Sequence, residues 1–238
     1  MTVLLVVCTL LLFLAADYVV QRVRASRVEG LAGAVDVALA AGNPDFPADA
    51  ELLINHTWTR QDDRGNTVLG MDALLARALG AVEHVLLPEP GSMMTPATPD
   101  ITLAAGGRSL ELASPLPGRV VEVNSALWQN PSLAKDDPYG AGWLVKLRPL
   151  PDRNAVYASY VIRRPVEWLR AQGEQMKEFF LLSSPQLELV PVTMQDGGEP
   201  VEGVLQGFDD EVWDTFKNRF ATLRRVQEGP DYPQEMKQ

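Results

Sequence analysis

The side chains here that are suited to covalent or metal chemistry are few, and their spacing decides what they can do. The single cysteine, Cys8, lies inside an apolar run, so it forms no internal disulfide and is poorly placed for lipid attachment. His56 and His84 are the only histidines. With one cysteine beside them a Cys/His zinc site is excluded, and no metal is expected. His56 stands two residues before Trp58 with no second ligand nearby, so a structural role suits it better than that of a base. His84 lies in an apolar stretch and reads as a core or edge residue. Asp209-Asp210-Glu211 has the oxygen ligands a cation would want, but acids opening a helix are the ordinary explanation. Gly106-Gly107 and Gly197-Gly198 are turn signals, and no G-x-S-x-G, Walker A or dinucleotide fingerprint is present. No catalytic residue is assigned, and the chain is not read as an enzyme. What remains is acylatable amines: Lys135, Lys146, Lys177, Lys217 and Lys237.

The elements that must position these groups begin at an apolar N-terminus. Thr2–Val20 carries one charge, Asp17. As a helix it would run roughly 28 Å, close to the roughly 30 Å hydrocarbon core of a bilayer. A cleaved signal peptide is the rival reading, but no basic residue precedes the run and no clear small-residue cleavage site follows it. Arg22, Arg24 and Arg27 come after the span, which by the positive-inside rule places the rest of the chain in the cytoplasm. The expected organisation is a single-pass anchor over 1–27, a stalk over 28–49, and a β-rich block over 50–150. A C-terminal α/β extension over 151–228 and a polar tail over 229–238 complete it. The net charge of −10 argues against nucleic acid as a partner.

Within 50–150, Met71, Leu74, Leu75 and Ala78 fall on one helical face, with Asp72 at its start and Gly80 as its stop. Short strands are expected at Val85–Leu87, Asp100–Ala105, Arg108–Ala113 and Arg119–Val123, and through Trp143, Val145 and Leu147. The Gly106-Gly107 pair suits a tight hairpin. Many short strands with Gly and Pro turns suggest a sandwich or small barrel. Beyond it, Ala155–Ile162 and Leu187–Val192 read as strands. A helix from Pro165 carries Val166, Leu169, Gly173, Met176 and Phe180 as a packing stripe, and a second helix runs from Asp209-Asp210 to about Leu223.

Four segments of the block together resemble the glycine cleavage H-protein family. They are His56-Thr57-Trp58, then Gly70 through Gly91 with its Leu87-Pro88-Glu89-Pro90-Gly91 turn. Ser114-Pro115-Leu116-Pro117-Gly118 leads into Arg119–Asn124, and the last is Asp137-Pro138-Tyr139-Gly140 with Gly142-Trp143-Leu144. They lie in family order without a gap from His56 to Pro149, about two-fifths of the chain. The resemblance implies an α+β, mainly β fold, a lipoyl-type barrel-sandwich hybrid. It also implies a lysine at a hairpin tip that would carry lipoate. The lysine position falls at Gly107, and the acidic residue before it at Ala104, so neither retains the chemistry. None of the five lysines lies between Pro88 and Pro117, so a shift of register supplies no amine. Arg108 is adjacent, but a guanidinium that stays protonated is no acylatable amine. No lipoate is therefore expected.

Two functions compete, and a third, an enzyme using residues 151–238 as a separate domain, ranks last for want of a nucleophile–base pairing there. One is a non-catalytic, membrane-tethered docking module in a complex, with Trp128 in the Asn124–Asp136 loop as a candidate interface residue. The other is a genuine H protein that carries lipoyl-bound aminomethyl groups in glycine decarboxylation.

Overall fold

The computed structural model describes residues 46–96, 98–150, 157–183 and 203–223. The expected anchor over 1–27, most of the stalk, the Leu187–Val192 strand with its Asp196-Gly197-Gly198 turn, and the tail lie outside the described residues. Among the described residues no helix is long and apolar enough to cross a membrane.

Among the described residues nine strands form two antiparallel sheets. The larger takes the order β1 (Ala50–Leu52), β2 (Thr57–Gln61), β3 (Thr67–Met71), β9 (Val145–Pro149), β8 (Gly118–Val123), β5 (Met93–Met94). The smaller is β4 (His84–Leu86), β6 (Pro99–Ala105), β7 (Arg108–Ala113). Every residue of β3 is buried, as expected of a strand paired on both edges. In β6 and β7 the burial alternates, with Ile101, Leu103, Leu110 and Leu112 inward. Those residues and Leu69, Val120, Val145 and Leu147 of the larger sheet belong to one hydrophobic core.

Helix α1 (Ala73–Leu79) forms where the apolar spacing predicts it, and Asp72 caps it by accepting from the Leu75 amide. Gly80 ends it at φ 78 and closes the last turn onto the Ala76 carbonyl. The stretch from Asn124 to Asp136 is not the open loop the sequence suggests. It holds two short helical turns, α2 (Ala126–Gln129) and α3 (Leu133–Asp136).

The extension differs more from expectation. Residues 157–162 form no strand. Only Val161 bridges Leu53, and the Ile162 amide reaches the Leu52 carbonyl at 2.8 Å. The segment meets the end of β1 at one point, which leaves no ladder to propagate. Helix α4 (Pro165–Ser183) buries Leu169, Met176 and Phe180 of the stripe, with Val166 exposed at its entry. A 3-10 turn (Val204–Gly207) precedes helix α5 (Asp210–Phe216), which widens into a π-helical turn (Lys217–Ala221) before reaching Leu223. That wider turn sets Phe220 against Phe216, ring centroids 4.9 Å apart. In its described part the extension is thus helical apart from one bridge. Phe179, Phe180, Phe208, Phe216 and Phe220 join the same core as the sheets.

Candidate functional site

Strands β6 and β7 pair out to Ala105 and Arg108, leaving Gly106 and Gly107 as a two-residue turn with φ of 59 and 73. Both angles are left-handed, as hairpins of this length demand, and glycine meets them without a Cβ penalty. A Cβ at Gly107 would meet none of the described residues within 4 Å. The tip is therefore open to a side chain, but it carries none. Ala104 lies three residues back, half-buried, and pairs with His84 on one side and Ser109 on the other. Lys146 is tied to Glu122 at 2.8 Å and Lys217 to Asp214 at 3.2 Å, while Lys135 lies 3.5 Å from Asp136.

The flank of the tip is occupied by the extension. Arg108 Nε donates to Asp210 Oδ1 at 2.6 Å, and its guanidinium lies 5.7 Å from the centre of the Trp213 ring. Trp213 Nε1 donates to the Ser109 carbonyl at 3.2 Å. Gln206 Nε2 donates to the Leu79 and Ala81 carbonyls at 2.9 and 3.2 Å. On the core side, the Gly106 amide donates to Glu83 Oε1 at 3.1 Å. No spacing pattern in the sequence pairs residues some hundred positions apart, so this contact was invisible there.

The other motif residues hold the scaffold. Trp58 is buried against Gly70, its register partner, and Nε1 donates to the carbonyls of Met71 and Pro138, each at 3.0 Å. The first and last motifs are thereby bonded to each other. Asp137 Oδ2 accepts from the Ala141 amide at 2.7 Å, and a Cβ on Gly140 would run into that carboxylate. Gly142 has the Leu133 and Asp137 carbonyls where a Cβ would go. Asn124 Nδ2 donates to the Ala141 and Trp143 carbonyls, both at 2.7 Å. Tyr139 accepts from the Ala73 amide at 3.1 Å, and burial, with the nearby Asp72 charge second, pushes its phenol far above the usual range. Gly118 sits 2.9 Å, Cβ to oxygen, from where the Arg148 carbonyl would block any larger residue. Gly91, at φ 93, turns the chain after Pro88 and bonds the Val120 carbonyl. Pro115 is buried in the turn that Ser114 closes onto Leu116.

The sequence model of the glycine cleavage H-protein matches residues 51–159. A glycine cleavage system H protein of Myxococcus xanthus strain DK1622 is 37% identical over 105 residues, covering 44% of this chain and 81% of the relative. The chain belongs to the glycine cleavage H-protein family. An H protein of Xylella fastidiosa strain 9a5c is 31% identical over 101 residues, 42% of this chain and 77% of the relative. The solved H protein of Mycobacterium marinum is 26% identical with a TM-score of 0.45, covering 54% of this chain and 99% of that one.

Residues 203–221 lie beyond the H-protein match. So does Trp168 of α4, whose ring is 4.8 Å from that of His56. His56 is wholly buried at φ 58 and places Nδ1 2.7 Å from Asp72 Oδ2, while Nε2 has no hydrogen-bond partner among the described residues. Nothing in the sequence paired it with Asp72. His84 lies exposed on an edge strand. Asp209 caps α5 by accepting from Val212, as the ordinary explanation of that acidic cluster requires. Trp128 is 63% exposed, so it is not buried as a loop anchor. Among the described residues no cluster of His, Cys, Asp or Glu is arranged to hold a metal ion.

Proposed function

We propose that this H-protein family member is a non-catalytic, membrane-tethered docking subunit that carries no lipoate. The observation that carries the reading is the hairpin tip. Position 107 is open in space but is a glycine, and no lysine falls between Pro88 and Pro117. Lipoyl transfer needs an amine at the tip to form the amide, and an arm to supply reach. Function follows the site and not the fold, so an intact scaffold without that amine favours a binding role over a carrier role. The apolar Thr2–Val20 segment with its trailing arginines supports attachment to a membrane as a single span, with the remainder cytoplasmic. Trp128, large and exposed, suits a protein contact.

The rival reading is a genuine lipoyl carrier in glycine cleavage; the relatives are designated glycine cleavage system H proteins. Intact mass spectrometry of protein from the native source separates the two: the docking reading requires the unmodified mass, and an addition of lipoyl size would overturn it. Cross-linking in native membranes should then yield a protein neighbour. A strictly monomeric protein with no co-purifying partner would sink the docking role.

A further inference from the structure

We propose that residues 203–216 are a built-in cap over one flank of the hairpin tip, closing that flank to other proteins while leaving position 107, which meets no other described residue, open to small molecules. The cap stands on geometry and does not need the functional reading above. A native lipoyl adduct would overturn that reading and leave this one intact.

Three glycines divide the evidence. Gly80, Gly106 and Gly107 all have positive φ. The first two are also crowded by the cap. A Cβ on Gly80 would run into the backbone of Gly203, and one on Gly106 would lie 3.0 Å from Gln206 Cγ. Gly107 has no such neighbour. Bare backbone at 80 and 106 lets the cap lie flat on the end of α1 and on one side of the turn. The other side of the turn is left clear.

The cap is anchored at both ends. The Gly203 amide donates to the Arg77 carbonyl at 3.1 Å, and Gln206 reaches the carbonyls of Leu79, the last residue of α1, and of Ala81 beyond it. Those of Arg77 and Leu79 are carbonyls that a helix end otherwise leaves without partners. Leu205 and Phe216 are fully buried, and Val204, Phe208 and Trp213 nearly so, so the segment is fastened by apolar packing. Arg108 and the Ser109 carbonyl, the first groups beyond the turn, are already engaged by Asp210 and Trp213. A protein that had to grip the hairpin from this flank would compete with contacts made within one chain, where effective concentration is high.

Accessibility to a small and a large probe tests this in the full chain. Cys8→Ser with Gly107→Cys gives one thiol, which is labelled with a short-linker biotin maleimide and then offered streptavidin. Asp210→Arg, on an exposed side chain, sets like charges against each other at Arg108 and serves as the opened form. Trp213→Ala is the second opened form, and hydrogen exchange of the β2, β3 and β9 amides, away from the cap, verifies that each remains folded. Maleimide labelling should differ by less than about twofold between capped and opened forms. Streptavidin capture should rise by up to about fivefold in Asp210→Arg, the scale of losing one exposed ion pair, and by more in Trp213→Ala. Equal capture rates in all forms would overturn the cap, and so would maleimide labelling that accelerates in step with capture. If Asp210→Arg leaves the 104–109 amides unchanged, Trp213→Ala decides the outcome.

Discussion

Arg108 and Asp210 meet at 2.6 Å although 102 residues separate them in sequence. The pair marks where the extension joins the hairpin, but it is not what holds the join together. Asp210 is 89% exposed, so water and salt screen the attraction. Trp213 beside it is buried and also spends its indole N–H on Ser109. Asp210→Ala should therefore lower stability by no more than about 1 kcal/mol, and Trp213→Ala by about 3–5 kcal/mol. Urea unfolding of the full chain checks both, and equal losses would show that the ion pair dominates.

Two glycines should fail for different reasons. At Gly70 the backbone angle is ordinary, but an added Cβ would lie 2.5 Å from the Trp58 ring. Gly70→Ala then forces the buried indole out of its place between β2 and the Pro138 carbonyl, with a loss of about 1–3 kcal/mol. At Gly107 there is space but φ is 73, so Gly107→Ala loses only the conformational term, about 1–2 kcal/mol. The near-ultraviolet tryptophan signal distinguishes them: it should change in Gly70→Ala and stay constant in Gly107→Ala.

Strands β4, β6, β7, β8 and β9 were legible because their information is local, whereas β1, β3 and β5 were not singled out. The Trp143, Val145 and Leu147 alternation, the Gly106-Gly107 turn, and Asp72 before the α1 apolar face each lie within a few residues. The motif glycines were visible as motifs, but their reasons were not. Only the folded chain shows Gly142 pressed between two carbonyls, or Asn124 bonded to Ala141 and Trp143. The extension was harder for the same reason. Its 157–162 segment is apolar enough for a strand but finds one bridge partner, Leu53. The packing of residues 203–216 on the tip depends on Gly80, Gly203 and Gln206, which carry no shared pattern. At the site, the lack of a lysine between Pro88 and Pro117 was readable from residue types, and the family resemblance gave it meaning, whereas the neighbours of the tip were not readable.

The β2–β3 turn carries a pH-dependent contribution. Asp62 Oδ1 accepts from the amides of Arg64 and Asn66 at 2.9 and 2.8 Å, and Oδ2 from Asn66 Nδ2 at 3.0 Å. The Asn66 side chain, foremost among these, holds the Asp62 carboxyl below its ordinary value. A carboxyl depressed on folding stabilises the protein above its unfolded pKa, and that contribution fades as pH falls through the folded value. The window is therefore below about pH 4. Asp62→Ala should flatten the acid limb of a plot of melting temperature against pH there. An unchanged slope would mean that the turn is equally stable with a neutral group.

His56 and Asp72 form a polar contact inside the core. Nδ1 lies 2.7 Å from Asp72 Oδ2, where a carboxylate would accept an N–H carried on Nδ1. Nε2 lies on the ring that packs beside Trp168 and has no hydrogen-bond partner among the described residues. The same carboxylate caps α1, since Oδ1 accepts from the Leu75 amide at 2.8 Å. Two substitutions separate the duties. Asp72→Asn keeps an oxygen for the cap but presents N–H to Nδ1, forcing the proton to Nε2, where no acceptor waits. The loss should be about 1–3 kcal/mol, that of one unsatisfied buried group. Asp72→Ala forfeits the cap as well, which adds about 0.5–2 kcal/mol. Nitrogen-15 spectra should place the His56 proton on Nδ1 in the native chain and on Nε2 in Asp72→Asn. If Asp72→Asn is as unstable as Asp72→Ala with no change of tautomer, the imidazole contact is incidental and the cap alone explains why an acid stands at position 72.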